Sequence, residues 1–147
     1  MIEYKVRVND NGSNHWYLND RLHREDGPAV EWANGAKEWY LNGKRHREDG
    51  PAVERTDGYK VWYRNGELHR EDGPAVERNN GDRYWYLNGK LHREDGPAVE
   101  RNNGDRYWYL NDQKLTEAEF NERMNPIEMT VAELADKLNI KNLKIVK

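Results

Sequence analysis

The sequence predicts an all-β repeat protein: an elongated single-layer antiparallel sheet of β-hairpin repeats with a small α/β C-terminal cap. Three observations predict it. The first is a period. Trp16, Trp39, Trp62, Trp85 and Trp108 stand 23 residues apart, and the segments between them are copies, from WYLNDRLHREDGPAVEWANGAKE to WYLNGKLHREDGPAVERNNGDRY. Fixed-period self-similarity marks a fold in which each unit buries its faces against its neighbours. The second is a pair of turn signals in every unit. One follows the WYL segment (Asn42-Gly43, Asn65-Gly66, Asn88-Gly89, with Asn19-Asp20 in the first unit), and the other precedes the next strand (Asn34-Gly35, Asp57-Gly58, Asn80-Gly81, Asn103-Gly104). Gly and Asn tolerate the positive φ that hairpin turns need. The third is composition. Charged and hydrophobic residues each make up 35% of the 147 residues, and the mean hydropathy is -1.27. So little apolar surface excludes a deep globular core. The 6 Trp and 9 Tyr argue against disorder, which leaves a thin structure whose few apolar residues are stacked in register.

Residues 1–15 read as an N-terminal strand and a degenerate half-repeat. Asp10-Asn11-Gly12 is the loop, and Val6 meets Trp16. Residues 16–110 are the repeats. Charge pairing sets the register of their second turn. A two-residue loop at Asn103-Gly104 would place Arg101 opposite Arg106, and like charges directly opposite are destabilising. A three-residue loop with Gly in the left-handed position pairs Glu100 with Arg106, Glu77 with Arg83, Glu54 with Lys60 and Glu31 with Lys37. It also places Trp108 opposite Ala98 and Tyr107 opposite Val99. Because residues two apart share a face, Trp108 and Leu110 line one side, and Tyr107, Tyr109 and Val99 the other.

The segment HREDGP holds a third possible reversal at Asp-Gly-Pro. Two reversals per unit keep all units in one orientation, whereas three would turn successive copies end for end. The simpler screw is the expectation, with two strands per unit and HREDGP as an irregular crossing. Equivalent residues would then sit about 10 Å apart, two strand spacings.

Residues 111–147 read as a helical C-terminal cap with a final strand. Thr116-Glu-Ala-Glu119 and Thr130-Val-Ala-Glu133 are capping boxes. The first opens a helix carrying Phe120 that stops at Asn125-Pro126. The second opens a helix with Val131, Leu134, Ala135 and Leu138 on one face. Alternation at Leu143 and Ile145 suggests a last strand. A cap of this kind covers the open end of a repeat array.

The residues that could carry chemistry recur in columns. His23, His46, His69 and His92 invite a metal reading, but a spacing of about 10 Å prevents two units from sharing one ion. Within one unit a third strong ligand is missing, so no metal is expected. Adjacent Glu94 and Asp95 point apart along the chain, and four equal copies are not how an active site is built. No Gly-rich phosphate loop is present, there is no Cys, and no catalytic residue or cofactor is expected. The remaining candidates are the Tyr column and the Arg column, represented by Tyr40, Tyr63, Tyr86, Arg47, Arg70 and Arg93, because Tyr and Arg are enriched in binding hot spots. Local packing of Tyr and local pairing of Arg with Glu or Asp is the alternative use of the same residues. Net charge is -3, so nucleic acid is not the expected partner. No apolar run reaches transmembrane length and MIEYKVRV lacks the apolar stretch of a signal peptide, so the expected location is the cytoplasm, with no membrane partner.

A 23-residue unit with Asn-Gly-Lys, a following His, an aromatic pair and a second Gly-centred turn resembles the MORN repeat and its variants over residues 16 to about 110. It departs from that pattern in having Arg-Glu-Asp-Gly-Pro after His, and Trp-Tyr where MORN carries Tyr-x-Gly-x-Trp. The LHREDGPA form is similar to repeats in bacteriophage and large-DNA-virus proteins, and less closely to MORN-variant antitoxins. A weaker likeness is to choline- and glucan-binding repeats. The resemblance implies a twisted sheet of hairpins that binds proteins and no catalytic residues. The functional expectation is a non-enzymatic protein-binding repeat protein, an accessory protein of a phage that binds and inhibits a host defence factor in the host cytoplasm. The alternatives are a small-ligand binder that sequesters a nucleotide signal in pockets between units, and an antitoxin-like immunity protein.

Overall fold

A computed structural model describes residues 3–141. Its main feature is a 12-stranded antiparallel sheet. From each unit, the sheet takes two short strands that flank the second turn, such as Val76–Glu77 and Arg83–Tyr84. The pairing is the one that the charges require: Glu31 faces Lys37, Glu54 faces Lys60, Glu77 faces Arg83 and Glu100 faces Arg106. The three-residue loop follows, with Gly35, Gly58, Gly81 and Gly104 at φ near +90°. At the N-terminal end Val6 faces Trp16.

The WYL segment does not run as one strand in the middle units. At Trp39, Trp62 and Trp85 the chain leaves the long sheet and forms a separate two-stranded hairpin, for example Tyr86–Leu87 with Lys90–Leu91. The main chain of Trp explains the break. The Trp62 N–H donates to the Ala75 carbonyl in the long sheet, while its carbonyl accepts from the His69 N–H of the side hairpin. Each Trp therefore belongs to two ladders. The Asn-Gly turn of each side hairpin has both residues at positive φ, as in Asn88 (50°) and Gly89 (76°), the geometry of a type I′ turn.

Side hairpins are also stacked on one another. Gly66 N–H donates to the Arg45 carbonyl and Arg47 N–H to the Tyr63 carbonyl, and the other units repeat both bonds. The HREDGP segment returns the chain from the side hairpin to the long sheet as an irregular crossing. In the fourth unit Val99 faces Tyr107, the expected register, and the ladder ends there rather than continuing to Ala98 and Trp108. The carbonyl of Ala98 accepts from Trp85 of the preceding strand, and Trp108 pairs with Leu115 on its other side.

The core is a column of small residues. Ala29, Ala52, Ala75 and Ala98 are each 0% exposed, and Val30, Val53, Val76 and Val99 are buried beside them. The five Trp of the repeat are half-buried. On one face Val53, Val61 and Val76 cluster with Tyr59, Tyr63, Leu68, Tyr84 and Tyr86.

The fifth unit completes its side hairpin, since Arg106–Leu110 pairs with Gln113–Leu115. Helix α1 (Glu117–Met124) has the expected capping box on Thr116 and Glu119 and ends at Asn125. It packs on those last two strands and buries Phe120 beside Leu115. Helix α2 (Val131–Lys137) is capped by Thr130 and Glu133 and buries no residue. The cap over the sheet end is therefore α1. The expected last strand at Leu143 and Ile145 lies outside the described residues.

Candidate binding surfaces

The sheet has two unlike faces, and they separate the Tyr and Arg columns. On the crossing face, Arg47 is fully engaged within its own unit. Its guanidinium carbon lies 3.8 Å from the centre of the Trp39 ring. Its Nε donates to Asp49 Oδ1 (3.0 Å), and its Nη1 to the Pro51 carbonyl (3.1 Å) and to Glu54 Oε1 (2.9 Å). Arg70 over Trp62 and Arg93 over Trp85 repeat the set, as does Arg24 over Trp16. The bond from Arg93 holds Asp95 below the usual carboxylate range, and Arg70 does the same to Asp72.

The glycine of the crossing has a steric cause. A Cβ on Gly73 would lie 2.9 Å from the Arg70 guanidinium carbon, and one on Gly27, Gly50 or Gly96 would lie 3.0 Å from the equivalent arginine. Glu94 reaches toward His92 and Asp95 toward Arg93, so the two adjacent carboxylates do point apart.

Each His of the crossing joins two units. Nδ1 of His46 accepts from the Asn65 N–H of the next side hairpin at 3.0 Å, and His23, His69 and His92 act alike on Asn42, Asn88 and Asn111. An Nδ1 acceptor places the ring proton on Nε2, which faces Glu48, Glu71 or Glu94 at 3.7, 3.4 or 3.3 Å. Among the described residues no group of three or more His, Cys, Asp or Glu comes together to hold a metal ion.

Open grooves lie between successive crossings, of about 900, 540 and 600 Å³. Each has a Trp (Trp39, Trp62, Trp85) and a carboxylate rim such as Glu48 and Asp49. None of the three is lined by a Tyr.

Tyr63 and Tyr86 lie on the opposite, valine face, where they pack on the valine cluster. Tyr40, the next in the column, donates its hydroxyl to Glu38 Oε2 (2.8 Å), and Trp32 Nε1 donates to Glu38 Oε1 (3.1 Å). Arg45 adds two bonds to the same carboxylate and lies near both Tyr40 and Tyr63. Burial opposes ionisation of Glu38, but the bonds from Tyr40, Trp32 and Arg45 outweigh it and hold its carboxyl below the ordinary range. Burial and the Glu38 charge push the Tyr40 phenol up.

The structure thus joins Arg47, Arg70 and Arg93 to the Tyr column only through main-chain bonds. Besides Arg45 and Arg7, which lie over Tyr40, Tyr63 and Tyr17, a second column of arginines meets tyrosine rings. Arg55, Arg78 and Arg101 lie over Tyr59, Tyr84 and Tyr107 at 4.7, 5.2 and 5.6 Å. All three are exposed, and among the described residues none forms a salt bridge. Strand alternation carries the signal for them. Arg101 is two residues from Val99 and so shares its face with Tyr107.

In comparison with known proteins, no family model matches the chain and no curated protein matches it. Among the described residues, no helix is long and apolar enough to cross a membrane.

Proposed function

We propose that this chain is a non-enzymatic protein-binding repeat protein whose valine–tyrosine face is the binding surface. The observation that carries the reading is the division of labour between two arginine columns. The column in the crossings is engaged in internal bonds, while Arg55, Arg78 and Arg101 are held over tyrosine rings and, among the described residues, form no salt bridge. Tyr and Arg are the residue types that dominate interface energetics.

Variation between units supports the same face. The crossing residues His-Arg-Glu-Asp-Gly-Pro-Ala are identical in all four copies, each with a structural task. Positions on the valine–tyrosine face differ: Ala36, Tyr59, Asp82 and Asp105 are equivalent, as are Glu38, Val61, Tyr84 and Tyr107. The crossing grooves vary as well, with Leu41, Arg64 and Leu87 at one equivalent position, but the valine–tyrosine face varies at two positions per unit and so presents a non-uniform surface to a partner.

The likeness of the unit to MORN variants in phage and viral proteins supports a finer reading. In that reading the chain is a phage accessory protein that binds and inhibits a host factor. The grooves between crossings favour a second reading, a small-ligand binder using Trp39, Trp62 and Trp85 as stacking floors.

The two readings separate by mutagenesis. A partner recovered by affinity capture and identified by mass spectrometry should bind the Arg78→Gln, Arg101→Gln double variant about a hundredfold more weakly, with circular dichroism unchanged, since each lost contact to a charged group costs about 1.5 kcal/mol or more. Loss of binding on substituting Glu48 and Asp49, with the Arg78 and Arg101 variants silent, would move the function to the grooves.

A further inference from the structure

The valine–tyrosine face has a period, a charge and a cleft, and together they specify an occupant. We propose that it binds an extended acidic, proline-rich segment of a protein partner. The segment adopts the polyproline II conformation and runs along the array across the strands, with one carboxylate on each of Arg55, Arg78 and Arg101. The proposal rests on the protein-binding reading above and adds the chemistry of the partner.

Charge comes first. Arg55, Arg78 and Arg101 recur every 23 residues, are exposed, and lie over tyrosine rings. A guanidinium already held against a ring loses less freedom when it takes a carboxylate. The crossing arginines differ, since each already holds an Asp and a Glu. Asp82 and Asp105 stand on the same face. Asp82 is held by the Asn102 N–H (2.9 Å), by Asn80 and by the Tyr84 hydroxyl (3.5 Å), and it feels the charges of Arg78 and Arg101 without a salt bridge to either.

The cleft is next. Between the second and third units Tyr59, Val61, Tyr63, Val76, Tyr84 and Tyr86 line a shallow space of about 220 Å³. Its walls are flat aromatic rings over a valine floor, and it contains no carboxylate. Aromatic-lined grooves of this kind accept proline rings, whose segment is already extended and loses little entropy on binding.

The period selects the conformation. Two strand spacings advance one unit by about 9.6 Å. Three residues of polyproline II advance about 9.3 Å and return to the same side. Successive units therefore meet every third residue of such a segment with a drift of about 0.3 Å per unit. In a β-strand the third residue points to the opposite face. In an α-helix the seventh residue advances about 10.5 Å, three times the drift. A nucleic acid would carry several phosphates over the same length, against a chain of net charge -3, so a peptide with one carboxylate per turn fits the face better.

The test is calorimetric titration of the full chain with acetyl-(Pro-Pro-Glu)5-amide. Three probes serve as controls: the lysine analogue, a peptide with glutamate at every fourth position, and an oligothymidylate of fifteen nucleotides. The expected result is binding of the Pro-Pro-Glu peptide at least about tenfold tighter than any control, as one lost charge-assisted contact is worth about that factor. Arg78→Gln should weaken it by a similar factor. The Arg55→Gln, Arg78→Gln, Arg101→Gln variant should abolish it while keeping the wild-type circular dichroism. Should that variant unfold, the single Arg78→Gln titration decides. No binding, equal binding of the every-fourth peptide, or tighter binding of the oligothymidylate would each overturn the proposal. Failure of the broader reading has a different signature, in which a captured partner ignores the Arg78 and Arg101 variants altogether.

Discussion

Gly73 illustrates how a single residue is fixed by what lies beside it. A methyl group there would meet the Arg70 guanidinium at 2.9 Å, and that guanidinium also stacks on Trp62 and bonds Asp72, the Pro74 carbonyl and Glu77. Gly73→Ala should therefore displace Arg70 and destabilise the protein by about 1–3 kcal/mol, as overpacking does, read by urea denaturation. Glu38 gives a residue-scale prediction in pH. Its folded pKa is lowered, so its contribution is fully present above the ordinary glutamate value of about 4.3 and is lost as pH falls through the lower folded value. The stability difference between wild type and Glu38→Gln should be about 1–2 kcal/mol at neutral pH. It should shrink toward zero as the pH falls below about 4.3 and through the lower folded value, in urea titrations repeated at acid pH. A difference that stayed constant with pH would mean that the Glu38 charge has no stabilising role.

At the scale of the element, the hairpins of the long sheet were legible because opposite charges sit across every second turn. The register of Glu77 with Arg83 and of Glu100 with Arg106 needs only that pattern and a left-handed Gly. The side hairpins were less legible. Their Asn-Gly turns are plain in the sequence, but nothing in WYL announces that Trp divides its N–H and carbonyl between two ladders. That division depends on how Ala75 and His69 of the same unit fold back on either side of Trp62, and local periodicity carries no such information. The same blindness affected the histidines. Their column could be weighed as metal ligands from the sequence, and that each Nδ1 accepts from the next unit follows only from the stacking. His69→Phe keeps a ring and leaves the Asn88 N–H without its acceptor, so it should cost about 1–3 kcal/mol. Hydrogen exchange at Asn88 should speed up while distant amides, such as those of the first unit, keep their protection.

For the whole molecule, stability is a sum over similar units and their interfaces, and the account assigns opposite tasks to two columns of the same residue type. The candidate site residues chosen from the sequence fall on two faces. Tyr40, Tyr63 and Tyr86 lie on the face proposed for binding, whereas Arg47, Arg70 and Arg93 lie on the other and are occupied internally. The pairing of those columns could not be read from spacing, because the break at Trp shifts the chain between ladders and ordinary strand alternation does not extend across it. The most direct test is urea denaturation of two triple variants. Arg47→Gln, Arg70→Gln, Arg93→Gln removes stacking and charge-assisted bonds in three units and should lose about 4–6 kcal/mol. Arg55→Gln, Arg78→Gln, Arg101→Gln removes only exposed cation–π contacts and should lose no more than about 3 kcal/mol. Equal losses, or a larger loss in the second variant, would contradict the division of the two arginine columns into frame and binding surface.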